Sequence, residues 1–287
     1  MAPGITIPQS RPAHIGWWQW PLKHATLKPR IPMRLPRFLT RPAPPSRTPV
    51  PLVAPVVDNL RLDLLYHRAR TGGDFFDALA IDRLHLVFLL IDIAGQRTNA
   101  MDLAAFVQDE FHTHTPQLLS GGNNESEALS ELCQRLNRAI LEAAGRAHMA
   151  PAFLGSIHGD DGILTYINAG TVPGLLLTAD SSELLESTGL PLGLFSHFAH
   201  DAAFRVLPRG GALLLASRGV VEARSESGVL ECIGRSPEFG AEGILKAVAG
   251  VPRVAQPLCR IVLDSATVHA GRHIDNDMSV AAISRNA

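Results

Sequence analysis

The chain changes chemistry near residue 57, and that break limits what can fold. Residues 1–57 carry eight Lys/Arg and no Asp/Glu, which leaves 18 of the 26 basic and all 27 acidic side chains beyond them, an arm of about +8 and a body of about -9. Prolines 29, 32, 36, 42, 44 and 45 alternate with Arg30, Arg34, Arg37, Arg41 and Arg47. Proline lacks a backbone N–H and blocks helices, so residues 1–57 are expected to be an extended, largely disordered arm, with the folded domain over residues 58–287. Trp17, Trp18 and Trp20 beside Lys23 give the arm the chemistry to touch an anionic membrane surface or an acidic partner, against the plainer reading of a solvated tail. Met33 is an alternative start to Met1, and would leave the tryptophans untranslated. Phosphate backbones would attract such an arm too, but nothing beside it reads bases, so nucleic acid is not expected.

With 46% hydrophobic and 18% charged residues, the chain can bury one sizeable core. Cys133, Cys232 and Cys259 are far apart and form no C-x-x-C pair, which speaks against a disulfide framework or a thiolate metal site and for a reducing compartment. Neither a run of about 18 apolar residues nor a secretory leader is found, so the expectation is a soluble, cytoplasmic protein.

From Leu60 the pattern becomes regular. Leu60, Leu62 and Leu64 alternate with polar residues, and Leu84 to Ile91 is almost continuously apolar, which predicts two neighbouring strands of a buried sheet. Helices are expected over Asn99–His114 and Ser126–His148. In the second, Leu129, Leu132, Leu136, Ile140 and Leu141 share a face, and Ser126 is placed to cap the start. Strands are expected at 152–157, 163–168, 175–178, 203–207, 212–216 and 278–284, with a hairpin turn at Gly159-Asp160-Asp161-Gly162, and further helices at 238–248 and 254–267. Strands in the middle with helical pairs outside them predict an α/β fold of two packed, mainly antiparallel sheets flanked by helices.

Seven short motifs then occur in a fixed order: Gly72-Gly73-Asp74-Phe75-Phe76-Asp77, Ile91-Asp92-Ile93-Ala94-Gly95, Leu136-Asn137-Arg138, Leu164-Thr165-Tyr166-Ile167-Asn168-Ala169-Gly170, Gly189-Leu190-Pro191-Leu192-Gly193-Leu194, Gly219-Val220-Val221-Glu222-Ala223 and Asp277-Met278-Ser279-Val280. Together they resemble PPM-type metal-dependent protein phosphatases of the sporulation stage II protein E branch, over roughly Leu60 to Asn286. The resemblance implies a four-layer α-β-β-α sandwich and a two-ion Mn2+ or Mg2+ centre held by carboxylates, since these hard cations prefer oxygen. It also implies a serine/threonine phosphoprotein substrate of regulatory type, such as an anti-sigma factor antagonist.

Carried over by motif, Asp74 and Asp92 are the catalytic candidates. Asp92, the Ile93 carbonyl and Asp277 are the metal candidates, the last through a local slip. Two ligand positions are altered: the family's Thr-Asp-Gly is Ser217-Arg218-Gly219, and its last acidic ligand falls on Asn276. The family's histidine after Asn-Ala-Gly is Thr171, and its Lys-Gly is Gln96-Arg97. Three carboxylates thereby become one carboxylate, one amide and one guanidinium, and the local charge moves from -3 to 0. Arg218 is expected either to enter the metal space and pair with Asp92 or to swing to solvent. Three functions stay open: a phosphatase with a single or relocated metal on Asp74, Asp92 and Asp277, a pseudophosphatase holding phosphate through Arg97 or Arg218, and a membrane-proximal scaffold working through the arm. Asp77 is read either as part of the site or as a turn cap. The pairs His112/His114, His197/His200 and His269/His273 lack a third ligand and are read as ordinary hydrogen-bonded histidines.

Overall fold

In the computed structural model, the described residues are 48–67, 73–93, 97–121, 124–144, 148–170, 172–225, 237–271 and 274–287, without the side chains of Arg97 and Thr98. Cys232, and the arm up to residue 47 with its tryptophans and arginines, lie outside them.

The strands are β1 (Leu60–His67), β2 (Asp74–Ala80), β3 (His85–Asp92), β4 (Ala152–His158), β5 (Ile163–Ala169), β6 (Gly174–Leu177), β7 (Ser182–Leu185), β8 (Ala203–Val206), β9 (Ala212–Ala216) and β10 (Met278–Arg285). The helices are α1 (Arg97–Leu119), α2 (Glu125–Ala144), α3 (Arg218–Val221), α4 (Gly240–Ala247) and α5 (Ala255–Ala270). One sheet has the order β1-β10-β9-β6-β7 and the other β2-β3-β4-β5-β8, and all the pairings are antiparallel.

Side-chain parity explains the layering. Along β3, Val87, Leu89 and Ile91 face α1 and α2, where they meet Val107, Phe111, Leu129, Leu132 and Leu136. The alternate residues Leu86, Phe88 and Leu90 face the other sheet and meet Phe153, Tyr166, Leu213, Leu215 and Ile283. A strand covered on both faces is apolar at nearly every position, which is why residues 86–91 read as an unbroken run between His85 and Asp92. A third core packs the stripe Leu258, Val262, Ala266 and Ala270 of α5 on the outer side of β9 and β10. The result is the α-β-β-α sandwich expected from the sequence.

Three expectations need correction. β1 and β3 are not neighbours, because they lie in different sheets: β1 pairs with the C-terminal β10, and β3 lies between β2 and β4. That β1–β10 pairing joins the ends of the domain and leaves no trace in local spacing. Ser126 does not cap α2. Asn124 does, its Oδ1 accepting from the Ser126 N–H at 3.1 Å and its carbonyl from the Ala128 N–H at 2.9 Å. The strands β2 and β7 and the short α3 were not expected as elements.

Residues 48–57 run without secondary structure but are tied down. The backbone N–H and carbonyl of Val50 both bond the side-chain amide of Gln108 on α1, at 2.7 and 3.0 Å, and Val57 is buried.

Candidate functional site

The two sheets present their strand ends to one another at a single edge. Asp74 opens β2 and Asp92 closes β3, and the two are direct partners across that ladder. From the other sheet, Ser217 and Arg218 follow β9, and Asp277 immediately precedes β10. Two close approaches bring these pieces together. A Cβ on Gly73 would lie 2.2 Å from the Ile93 carbonyl oxygen, and one on Gly219 would lie 1.9 Å from the Asp277 carbonyl oxygen, so both positions admit only glycine. The backbone N–H of Ile93 also donates to the Gly73 carbonyl at 2.9 Å.

Hydroxyls hold this edge together, and that of Ser279 reaches across to the other sheet. Ser279 Oγ donates to Asp74 Oδ2 at 2.9 Å, the Ser279 N–H donates to Ser217 Oγ at 3.0 Å, and the Ser217 N–H donates to the Ser279 carbonyl at 2.9 Å. The Tyr66 hydroxyl of β1 donates to Asp277 Oδ2 at 2.5 Å. Arg218 Nε donates to Asp92 Oδ2 at 3.1 Å, with the Arg218 side chain 36% exposed and that of Asp92 10%. Of the two orientations left open by the sequence, the guanidinium therefore takes the inward one.

Three carboxylates and one guanidinium thus share this edge. Burial, with the negative charges of Asp92 and Asp277 nearby, pushes the Asp74 carboxyl from 3.8 up to about 8, against hydrogen bonds from Ser217 and Ser279 that pull it down. Burial raises Asp92 as well, and Arg218 opposes that rise through its charge and its hydrogen bond. Asn276 lies in the bend before β10, its Cβ near Gly219. The side chain of Arg97, together with Gln96 and Thr171, falls outside the described residues. Beside Asp74 is a cavity of about 310 Å³ lined by Pro49, Leu52, Tyr66, Phe76, Met101 and Ser279 among others.

Asp77 belongs to neither of its two expected roles. It lies inside β2, 3% exposed, and accepts bonds from Gln108 Nε2 at 2.8 Å and His112 Nε2 at 2.6 Å, which fasten β2 to α1. His114, His200 and His269 also make ordinary hydrogen bonds, to Glu110, to the Leu190 carbonyl and to the Pro237 carbonyl.

A second polar cluster, far along β3, escaped the sequence reading. His85 and His158 are cross-strand partners with rings stacked at 4.1 Å, and Glu125 from the first turn of α2 reaches both. Burial pushes Glu125 up, yet hydrogen bonds from His158, His85 and Ser156 together hold it well below the usual carboxylate range. These residues lie 40 and 33 positions apart, so only the long-range antiparallel pairing of β3 with β4 and the seating of α2 on it could have revealed them.

The family profile of stage II sporulation protein E (SpoIIE) matches residues 82–286. The phosphoserine phosphatase RsbU of Bacillus subtilis is 29% identical over 104 residues, 36% of this chain and 31% of that protein. The chain therefore spans about a third of that relative's length. Among solved structures, the RsbU and RsbW domains of Rv1364c from Mycobacterium tuberculosis align with a TM-score of 0.61 at 28% identity, covering 83% of this chain and 64% of that one. The PP2C phosphatase domain of SpoIIE from Bacillus subtilis, with a fragment of its regulatory domain, aligns at 0.60 and 18% identity over 78% of this chain and 63% of that one. At that identity the second likeness speaks for the fold alone. No helix among the described residues is long and apolar enough to cross a membrane.

Proposed function

Since this chain belongs to the stage II sporulation protein E family of PP2C-like phosphatase domains, we propose that it engages a regulatory serine/threonine phosphoprotein with its metal-dependent hydrolysis weakened or lost. The observation that carries this reading is the 3.1 Å bond from Arg218 Nε to Asp92 Oδ2. In this reading Arg218 and Asn276 are altered ligand positions, and Asp74, Asp92, Asp277 and the Ile93 carbonyl are what remains of a Mn2+ or Mg2+ centre.

The donor set does not fit a pair of divalent ions. One oxygen of Asp92 is engaged by a permanent cation, and the position before Gly219 offers a guanidinium in place of a carboxylate. Each unit charge about 4 Å away is worth roughly 4 kcal/mol at an effective dielectric near 20, so an ion entering beside Arg218 is opposed by several kcal/mol. Arginine holds this place well because its planar group stays charged and pairs directionally with carboxylates.

A pseudophosphatase is the second reading, favoured by the 36% exposure that Arg218 keeps while bonded to Asp92. An arginine at a solvent-facing edge can hold a phosphoryl group without hydrolysing it, and Arg97 is the other candidate for that contact. The partner proposed for either reading is a cytoplasmic regulatory phosphoprotein of the anti-sigma factor antagonist kind. The basic arm is proposed to make peripheral contact with anionic membrane through its part before residue 48, residues 48–57 being held against the domain.

Hydrolysis of p-nitrophenyl phosphate by the purified chain is expected to stay near background and not to rise with Mn2+. Arg218→Asp combined with Asn276→Asp is expected to create Mn2+ binding. Saturable Mn2+-dependent turnover by the unaltered chain, abolished in Asp92→Asn, would overturn the reading. Phosphoserine-peptide binding that weakens in Arg218→Ala, with turnover at background, is the signature of the pseudophosphatase.

A further inference from the structure

We propose that His85, Glu125 and His158 form a binding site for a divalent first-row transition ion of the Zn2+ class, separate from the Asp74–Asp92 edge. One ring nitrogen of each histidine and a carboxylate oxygen of Glu125 all lie within 4.8 Å of one another. His85 Nε2 is 3.4 Å from Glu125 Oε1, and His158 Nε2 is 3.1 Å from Glu125 Oε2. Ligands placed tetrahedrally around Zn2+ at its usual distances are about 3.4 Å apart, so the three groups already stand near the spacing of one coordination shell.

The fold assembles this set from both sides of a layer. His85 begins β3 and His158 ends β4, and their register puts both rings on the helix-facing side, where Val87, Leu89 and Leu154 also point. Glu125 comes down from the start of α2, which Asn124 caps. Ser156, on the same face of β4, bonds both His85 Nε2, at 2.5 Å, and Glu125 Oε1, so it can orient the carboxylate when an ion takes the ring nitrogens. A cavity of about 300 Å³ opens onto His85, Glu125 and His158, lined also by Asp82 and Ser120, and leaves room for water or an outside ligand at the remaining positions.

Ligand type sets selectivity. Two imidazoles and one carboxylate suit Zn2+, Co2+ or Fe2+, whereas Mg2+ keeps to oxygen and to its own waters. The site is also remote from the Arg218 edge: His85 and Asp92 are the two ends of an eight-residue strand, roughly 23 Å apart at about 3.3 Å per residue. Loading it would pin the start of α2 to the far end of the β3–β4 ladder.

Titration of the full chain with Co2+ reads the site directly through the visible ligand-field bands of a bound ion. The expected result is saturable binding of one Co2+ that Zn2+ displaces and Mg2+ does not, weakened about ten-fold or more in His158→Asn and in Glu125→Gln. Zn2+ is also expected to raise the thermal midpoint of the wild-type chain and to leave that of His158→Asn unmoved. His158 is partly exposed at a strand end, so that variant should fold, and the wild-type competition with Zn2+ and Mg2+ stands without any variant. Absence of a saturable Co2+ spectrum in the wild-type chain, displacement by Mg2+, or unchanged affinity in both variants would overturn the proposal. Co2+ binding reads only the His85, Glu125 and His158 cluster, whereas the Arg218 reading is tested by p-nitrophenyl phosphate turnover in Mn2+, so failure here and failure of that reading remain distinguishable.

Discussion

Asp74 sets a pH response that one side chain can test. Its carboxyl keeps a proton in the folded chain up to about pH 8, while in the unfolded chain it loses it near 3.8. Between those values the folded state binds more protons, so stability falls as pH rises from about 4 to about 8 and then levels off, by about 1.4 kcal/mol per pH unit at most. Asp74→Asn should flatten that slope and raise the urea midpoint at pH 8, where an equal slope in both proteins would clear Asp74 of the effect. Gly219 is a second single-residue test. Alanine there places a Cβ against the Asp277 carbonyl, so Gly219→Ala should destabilise the domain by about 1–3 kcal/mol and disturb the Tyr66–Asp277 bond, as read by urea unfolding and tyrosine fluorescence.

Among the elements, α2 shows how local and distant signals divide. Removing its cap with Asn124→Ala should cost about 1 kcal/mol, measured by urea unfolding. Leu129, Leu132, Leu136 and Ile140 announced the helix through their spacing, and the doubly covered β3 announced itself as an apolar run. The first residue of α2 was misplaced because Ser126 and Asn124 are both good caps, and only the observed bond chooses between them. β2 was hidden because its buried Asp77 breaks the apolar pattern, and its partners Gln108 and His112 lie on a helix 31 and 35 residues away. α3 is a single turn too short to carry a period. The edge that holds Asp74, Asp92 and Arg218 was legible through motif order. The place of Asp277 in it was legible by the same motif order, but its partner was not, since the carboxylate is held by Tyr66 from 211 positions earlier in the chain. The histidine cluster was illegible for a similar reason, its two rings being joined by strand register and its carboxylate brought in by α2.

For the molecule as a whole, the junctions between layers are where a single change should be felt most. Arg285 at the end of β10 is 6% exposed and donates to the carbonyls of Gly159, Asp160, Asp161 and Leu207, so one side chain of one sheet holds the β4–β5 turn of the other. Arg285→Met leaves those carbonyls without that donor and should cost about 3 kcal/mol or more, seen as a lower thermal midpoint. Residues 48–57 close the structure in the same manner through Val50 and Val57, and deleting them should destabilise the domain where Gln108 and the intersheet core are exposed.

The Arg218–Asp92 contact spans the same divide between sheets, and this has a consequence for any attempt at repair. With the guanidinium present, the acidic rim carries its own counterion and the sandwich can close in plain buffer. Replace it by an acid and the rim holds only like charges, so the refurbished protein should need Mn2+ as a folding partner before that ion can serve any chemistry.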